Sequence, residues 1–253
     1  MQEHIKRYYE NYDEDGRLFR DNAHMPEYLT TIRYFDRLFT PGMKILDACA
    51  GAGRYSFYLA DKGCIVTACD LVEHNVGIIK SKPKADKLAE ISACDSLDLS
   101  RFKESSFDAV LCMGALYHLR TNGLREKAIS ECLRICKPGG IVVLAYLTKI
   151  GAIHAHINAD ASNMDELLKI LDDTDEGIFF CTSPQEIEMM TLRHGIEKKY
   201  NIGTDGMIYA VASKLNEADD SSFQKYMEYH YKTCEDESIL GASLHGLWIG
   251  RKE

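Results

Sequence analysis

No stretch of the 253 residues is long and apolar enough to cross a bilayer. The longest strongly apolar run without a charge, Ile141 to Leu147, falls far short of the ~20 residues that a spanning helix needs. The opening Met1-Gln-Glu-His-Ile-Lys-Arg has no apolar segment of the kind that directs secretion, so a folded, cytoplasmic chain is the expectation. Positive charge is scarce. Thirty Lys and Arg against thirty-nine Asp and Glu leave a net −9, and a surface of that sign repels phosphate backbones, which disfavours extended nucleic-acid binding. No Cys-x-x-Cys pair occurs among the nine cysteines. Their odd number, and places inside apolar segments (Cys64, Cys69, Cys94, Cys112, Cys132, Cys136), make them reduced core residues that act as small hydrophobes. Low-complexity tracts, repeats and Pro/Gly/Ser linkers are missing too, so the whole of 1–253 reads as one domain. What is present, 45% apolar and 27% charged residues, is an ordinary globular composition and excludes disorder.

From Met43 to Leu147 short apolar runs alternate with amphipathic stretches. The runs are Met43 to Ala48, Cys64 to Cys69, Ile91 to Cys94, Phe107 to Met113 and Ile141 to Leu147, each ended by a polar residue or glycine. The intervening segments are long enough for crossover helices, the βαβ pattern of a parallel sheet covered on both faces. Tyr55, Tyr58 and Leu59 mark one helix stopped by Gly63, and another is expected from about Gly123 to Cys136, stopped at Lys137-Pro138-Gly139-Gly140. The alternation then breaks. Residues 149–182 form an insertion in which Ser162 and Asp165 resemble a capping box. Ser183-Pro184-Gln185-Glu186 opens a firmer helix, and Ile196 to Ile202 alternate as a strand. A second insertion, 205–241, carries a helix through Phe223 and His230 capped by Asp220 or Ser221, and Leu244 to Ile249 read as a last strand. Residues 1–40 are a helical lead-in.

The most informative stretch is Ile45-Leu46-Asp47-Ala48-Cys49-Ala50-Gly51-Ala52-Gly53-Arg54, a buried strand running through a glycine turn into a helix. Such a turn presents backbone N–H groups and the positive end of a helix to a ligand, and glycine lets the ligand come close. Asp70 ends the second strand, and Asp95 with Ser96 ends the third. A carboxylate after strand two suits a ribose diol, and Asp95 suits the exocyclic amine of an adenine. One such acid is more simply a helix cap; three in register with a glycine turn point to a nucleoside.

These residues resemble class I S-adenosylmethionine-dependent methyltransferases, in particular the small-molecule branch that includes ubiquinone and menaquinone methyltransferases. The resemblance covers 41–147 well and 183–251 loosely: Asp47 to Gly53 match the first motif, Asp70 the ribose acid, Asp95 the adenine-side acid, and Lys137 to Gly140 the turn before strand five. The family's first glycine is here Cys49, so the turn must be built with a Cβ at that place. The resemblance implies an α/β, Rossmann-like sheet of seven mostly parallel strands with the last antiparallel, helices on both faces, and helical cap insertions. It implies S-adenosylmethionine as donor and S-adenosylhomocysteine as product. Donor contacts are expected from Asp47, Cys49, Ala50, Gly51, Gly53 and Arg54 in the turn. Leu71 beside Asp70, Ser96 beside Asp95, and Met113 and Gly114 after strand four complete the set, with Arg33 as a partner for the donor carboxylate.

A sulfonium leaving group departs neutral, so positioning and exclusion of water matter most, with a general base where the acceptor must lose a proton. His118, in Met113-Gly114-Ala115-Leu116-Tyr117-His118, is the expected base, with Tyr117 and Tyr146 at the acceptor. Asn-Pro-Pro-Tyr and Pro-Cys, marks of nucleic-acid methyltransferases, are absent, which favours O- or N-methylation of a small metabolite. No metal is expected, because His154 and His156 lack a carboxylate partner at fixed spacing. In related enzymes the N-terminal segment closes over the donor, and Tyr8 to Arg17 is unusually aromatic and polar for a plain cover helix. The lead-in and both insertions are therefore expected to cap the acceptor site, the alternative use being a homodimer interface. A tRNA-base methyltransferase and a nicotinamide-dependent oxidoreductase are the competing readings, the latter needing a third small residue at Ser56 and leaving the strand-three acid without a role.

Overall fold

The computed structural model describes residues 2–253. Its centre is one sheet of eight strands: β1 (Lys44–Asp47), β2 (Ile65–Asp70), β3 (Glu90–Ala93), β4 (Phe107–Cys112), β5 (Cys136–Thr148), β6 (Cys181–Thr182), β7 (Ile196–Gly203) and β8 (His245–Lys252). The strands lie in the order β3-β2-β1-β4-β5-β8-β7, with the two-residue β6 added beside β5. Only β8 runs antiparallel to its neighbours, β5 and β7. The expected seven-stranded sheet with a reversed last strand is thus present, with β6 as an eighth strand. β5 begins at Cys136 rather than Ile141, because Cys136 pairs with Phe107 across an irregularity in the β4–β5 ladder.

Successive residues of each strand feed opposite faces, as the two-residue side-chain period requires. Ile45, Ala109, Leu111, Val143 and Ile249 pack on one face beneath α2 (Met25–Leu38), α3 (Arg54–Asp61) and α4 (Glu73–Ser81). Leu46, Val110, Cys112, Leu144 and Trp248 pack on the other beneath α5 (Asn122–Ile135) and α8 (Pro184–Arg193). All nine cysteines are free thiols and seven are buried. The helix ends follow local chemistry. α5 starts where the Thr121 side chain accepts from Leu124 N–H, and α8 starts with a full Ser183/Glu186 capping box and Pro184.

The lead-in holds α1 (Gln2–Glu10) and a short 3-10 turn, Arg17–Phe19. The first insertion folds as α6 (Lys149–Ala159) and α7 (Met164–Leu171), the second as α9 (Ile208–Asn216), α10 (Asp220–Thr233) and α11 (Glu237–Leu240). α7 departs from expectation: Asn163 rather than Ser162 precedes it, and no side chain caps it. α10 is capped by Asp219, one residue earlier than expected. The second insertion and the lead-in share a small core of their own, in which Ala23 and Met25 meet Ile208, Ala212, Phe223 and Met227. No helix among the described residues is long and apolar enough to cross a membrane.

Candidate active site

At the carboxyl ends of β1, β2 and β4 the glycine turn opens a cavity, where a ligand binds in open sheets of this kind. Gly51 lies at φ +54°, a conformation that side chains rarely adopt. A Cβ there would come within 3.1 Å of the Glu14 carboxylate, so the backbone is bare toward the cavity. Gly53, at φ +83°, has another role: a Cβ there would meet Phe57 and Ile79 at 3.0 and 3.1 Å. It lets α3 pack, and it does not line the cavity. Cys49 lines the cavity in the place of the family's glycine. Its Cβ lies 2.8 Å from where a Cβ on Gly114 would stand, so Gly114 supplies the room that Cys49 takes up.

Asp47 does not reach the cavity. It is buried beneath the turn and accepts from Ser56 Oγ at 2.6 Å, with burial raising its carboxyl to about 7. That bond ties the end of β1 to the first turn of α3. Asp70 does line the cavity. Its Oδ2 accepts from Gly51 N–H at 2.8 Å, while Oδ1 accepts from Val72 N–H at 2.9 Å and from the Asn75 side chain at 3.2 Å. Burial pushes this carboxyl up despite those bonds. Asp95 accepts from Leu97 N–H at 2.9 Å, and it lines the cavity with Ala50, Arg54, Leu71, Ser96 and Met113. Arg54 also binds the lead-in, donating to the Asp15 carbonyl through Nε at 3.0 Å and Nη2 at 2.7 Å.

Besides Asp47 and Gly53, two further expected residues are not brought here. Arg33 is exposed, its guanidinium 4.4 Å from the centre of the Tyr231 ring. The face of α2 that points inward carries Glu27, Thr31, Tyr34 and Phe35, and Arg33 falls on the opposite side. Tyr146 is 1% exposed and donates to Asn201 Oδ1 at 2.7 Å, within the sheet's other face rather than in the cavity.

Tyr117 and His118 are both at the cavity, although His118 is held as a neutral, fully engaged ring. Its Nδ1 lies 3.1 Å from the Ile178 carbonyl, which can only accept, so that nitrogen carries the proton. Nε2 then accepts from Tyr9 O–H at 3.0 Å. Burial lowers the imidazole to about 4. His118 therefore fixes Tyr9, a lead-in residue, against the rim.

Several residues at this edge gave no individual signal in the sequence. Arg17 makes a forked pair with Glu27, Nη1 to Oε2 at 2.5 Å and Nη2 to Oε1 at 2.8 Å. Burial pushes the Glu27 carboxyl up, and Arg17 with His245 overrides it, holding it at about 2. His245 Nδ1 lies 2.7 Å from Asp205 Oδ2; burial alone lowers the imidazole, and Glu27 and Asp205 raise it. Glu14, Arg17 and His245 also line a second cavity of about 530 Å³, together with Tyr9 and Tyr117. Its walls come from the lead-in (Tyr8, Tyr12), the first insertion (Ala152, Phe179) and the second (Tyr209, Ala212). No cluster of three or more His, Cys, Asp or Glu suited to a metal ion occurs among the described residues.

Fold and site together have the features of a nucleoside-binding α/β domain, with a second chamber beside the first cavity. Residues 46–144 match a methyltransferase domain, and the fold is the one seen in solved S-adenosylmethionine-dependent methyltransferases. The bare Gly51 backbone, Asp70 and Asp95 on one cavity fit that donor, which supplies an electrophilic methyl group when bound. A tRNA (carboxymethyluridine(34)-5-O)-methyltransferase of Arabidopsis thaliana is 34% identical over 41% of this chain and 24% of its own. A demethylmenaquinone methyltransferase of Renibacterium salmoninarum is 36% identical over 42% of this chain and 41% of its own. The matched part thus spans well under half the length of these relatives. Among solved structures, a geranyl diphosphate methyltransferase in complex with GPP and sinefungin superposes with a TM-score of 0.64 at 14% identity, covering 100% of this chain and 98% of that one.

Asp70→Ala is expected to weaken donor binding by roughly 1.5 to 3 kcal/mol, the range for hydrogen bonds to a charged group. Calorimetric titration with sinefungin reads it, and an unchanged affinity would remove Asp70 from the donor site.

Proposed function

We propose that the chain transfers a methyl group from S-adenosylmethionine to the oxygen or nitrogen of a small-molecule acceptor seated in the second cavity. The observation that carries this reading is the junction of two cavities, where Tyr9, Glu14, Arg17, Tyr117 and His245 line both. One chamber has the features a nucleoside donor needs. The other meets it at those residues and is walled by all three segments outside the core sheet, so an acceptor there would face the donor partly shielded from water. Donor contacts are assigned to Cys49, Ala50, Gly51, Arg54, Asp70, Leu71, Asp95, Ser96, Met113 and Gly114, all of which line the first cavity. Tyr9 and Tyr117 position the acceptor, and His118 orients Tyr9.

A tRNA acceptor is the second reading, favoured by the Arabidopsis relative's name and similar identity. The formal charge of −9 weighs against it, since tRNA affinity rests on a basic footprint. The protein with methyl-tritiated donor should label a nucleic-acid-free small-molecule extract of the source cells and leave total tRNA unlabelled. Label appearing instead in ribonuclease-sensitive material would replace this reading with the tRNA one.

A further inference from the structure

We propose that Glu14 is the general base of this site, taking the proton from a hydroxyl or amine acceptor in the second cavity. The inference rests on the reading that this cavity holds the acceptor. Its basis is position and the state of the neighbouring groups. Glu14 lines both cavities, and its Cγ and Oε1 lie 3.1 Å from the position of a Cβ on Gly51, so the carboxylate hangs over the turn where donor and acceptor would meet. Several other basic groups nearby are committed, and His245 has its Nδ1 against Asp205. Both oxygens of Glu27 accept from Arg17, both oxygens of Asp70 accept from N–H groups, and Asp47 lies beneath the turn. His118 has one nitrogen protonated toward Ile178 and the other occupied by Tyr9 O–H. Glu14 Oε2 forms an ion pair with Arg17 Nε at 3.7 Å, beyond hydrogen-bond length.

The groups that act on Glu14 come from every element around it. They are Arg17, Glu27 on α2, Asp70 at the end of β2, His245 at the start of β8, and the phenols Tyr8, Tyr9, Tyr12 and Tyr117. Burial pushes the carboxyl up to about 7, Glu27 and Asp70 adding to the rise while Arg17 and His245 oppose it. A base of that strength is matched to work near neutrality, whereas an ordinary carboxylate is too weak to take such a proton effectively.

In the step this allows, a lone pair on the acceptor oxygen or nitrogen forms the bond to the methyl carbon. The carbon–sulfur bonding pair goes to sulfur, which becomes a neutral thioether, and the acceptor's proton goes to the Glu14 carboxylate. Charge balances: one positive and one negative group are consumed, and neutral products remain.

The test compares wild type with Glu14→Gln and Glu14→Asp, using the small-molecule extract as acceptor probe and methyl-tritiated donor. The wild-type rate should rise with pH through about 7, as the carboxylate ionises, and then level off. Glu14→Gln should lower the rate above neutrality by roughly 100-fold or more, as loss of a general base does. It should also erase the inflection while leaving calorimetric donor affinity unchanged in the absence of acceptor. Glu14→Asp should restore part of the rate together with an inflection. Infrared difference spectra of the donor-free protein against Glu14→Gln should show one carboxyl titrating near 7. If Glu14→Gln instead weakens donor binding in proportion to the lost rate and keeps the inflection, Glu14 is a partner of the donor's ammonium group and the proposal falls. An active wild type with an equally active Glu14→Gln rejects the base alone. A wild type that labels only tRNA rejects the reading on which the base rests.

Discussion

Gly51→Val is expected to abolish donor binding while the chain still folds. A β-branched residue at φ +54° carries backbone strain of about 1 to 3 kcal/mol, which a domain of this size can absorb. Two further methyl groups would then stand on the side of the turn that faces the cavity, where even a Cβ comes within 3.1 Å of Glu14. The donor would have to approach a backbone that is no longer bare. Calorimetry with sinefungin should show no measurable heat of binding, and circular dichroism should show a native-like spectrum. Normal binding by the folded variant would make the turn purely structural. Gly53→Ala is the informative companion. Gly53 faces Phe57 and Ile79 rather than the cavity, so that change should cost stability and leave donor affinity nearly unaltered.

Glu27→Gln should bring the largest loss of stability, toward the lower end of the ~3 to 5 kcal/mol seen when one partner of a buried ion pair is removed. The lower end applies because Arg17 and Glu27 keep 20% and 14% of their side chains exposed. Glutamine leaves the Arg17 charge in a poorly solvated place with only Glu14, 3.7 Å away, to balance it, and it breaks the forked bond between Arg17 and α2. The pH dependence follows from the Glu27 carboxyl held at about 2. Because the folded-state value is depressed, the stabilisation is fully present above the ordinary carboxylate range and is lost as the pH falls from there through about 2. Urea unfolding of wild type and variant measures both effects. A loss below ~1 kcal/mol would mean that the pair behaves like an exposed surface bridge.

The sheet was readable because each buried parallel strand announces itself as a continuous apolar run ended by a polar or glycine residue. Asp70 and Asp95 could be placed at strand ends for the same reason. The cap helices were harder. α6 carries Gly151, Ala152, Ala155 and Ala159 rather than a row of large apolar residues, because part of it borders a cavity and part packs against Leu244. Its cap is Thr148, the last residue of β5, so no loop separates strand from helix. Register decided the misplaced arginine: on α2 the inward positions run through Glu27, Thr31 and Tyr34, and Arg33 is turned outward onto Tyr231. The sequence showed the lead-in as a polar aromatic segment, but nothing local marks Glu27 or His245. Glu27 meets Arg17 ten residues earlier, across the bend from the 3-10 turn into α2, and His245 meets Asp205 forty residues earlier, pairings that the chain's fold rather than any local motif creates.

A crystal structure with sinefungin bound decides whether a donor in the glycine-turn cavity faces an acceptor chamber formed by the lead-in and both insertions. The nucleoside should lie against Asp70 and Asp95, with the methyl-equivalent amine directed at the junction of Tyr9, Glu14 and Tyr117. That amine should lie within ~10 Å, one layer of packed side chains, of residues from the lead-in, 149–182 and 205–241. A ligand whose amine instead faces open solvent, with all three segments farther away, would contradict it.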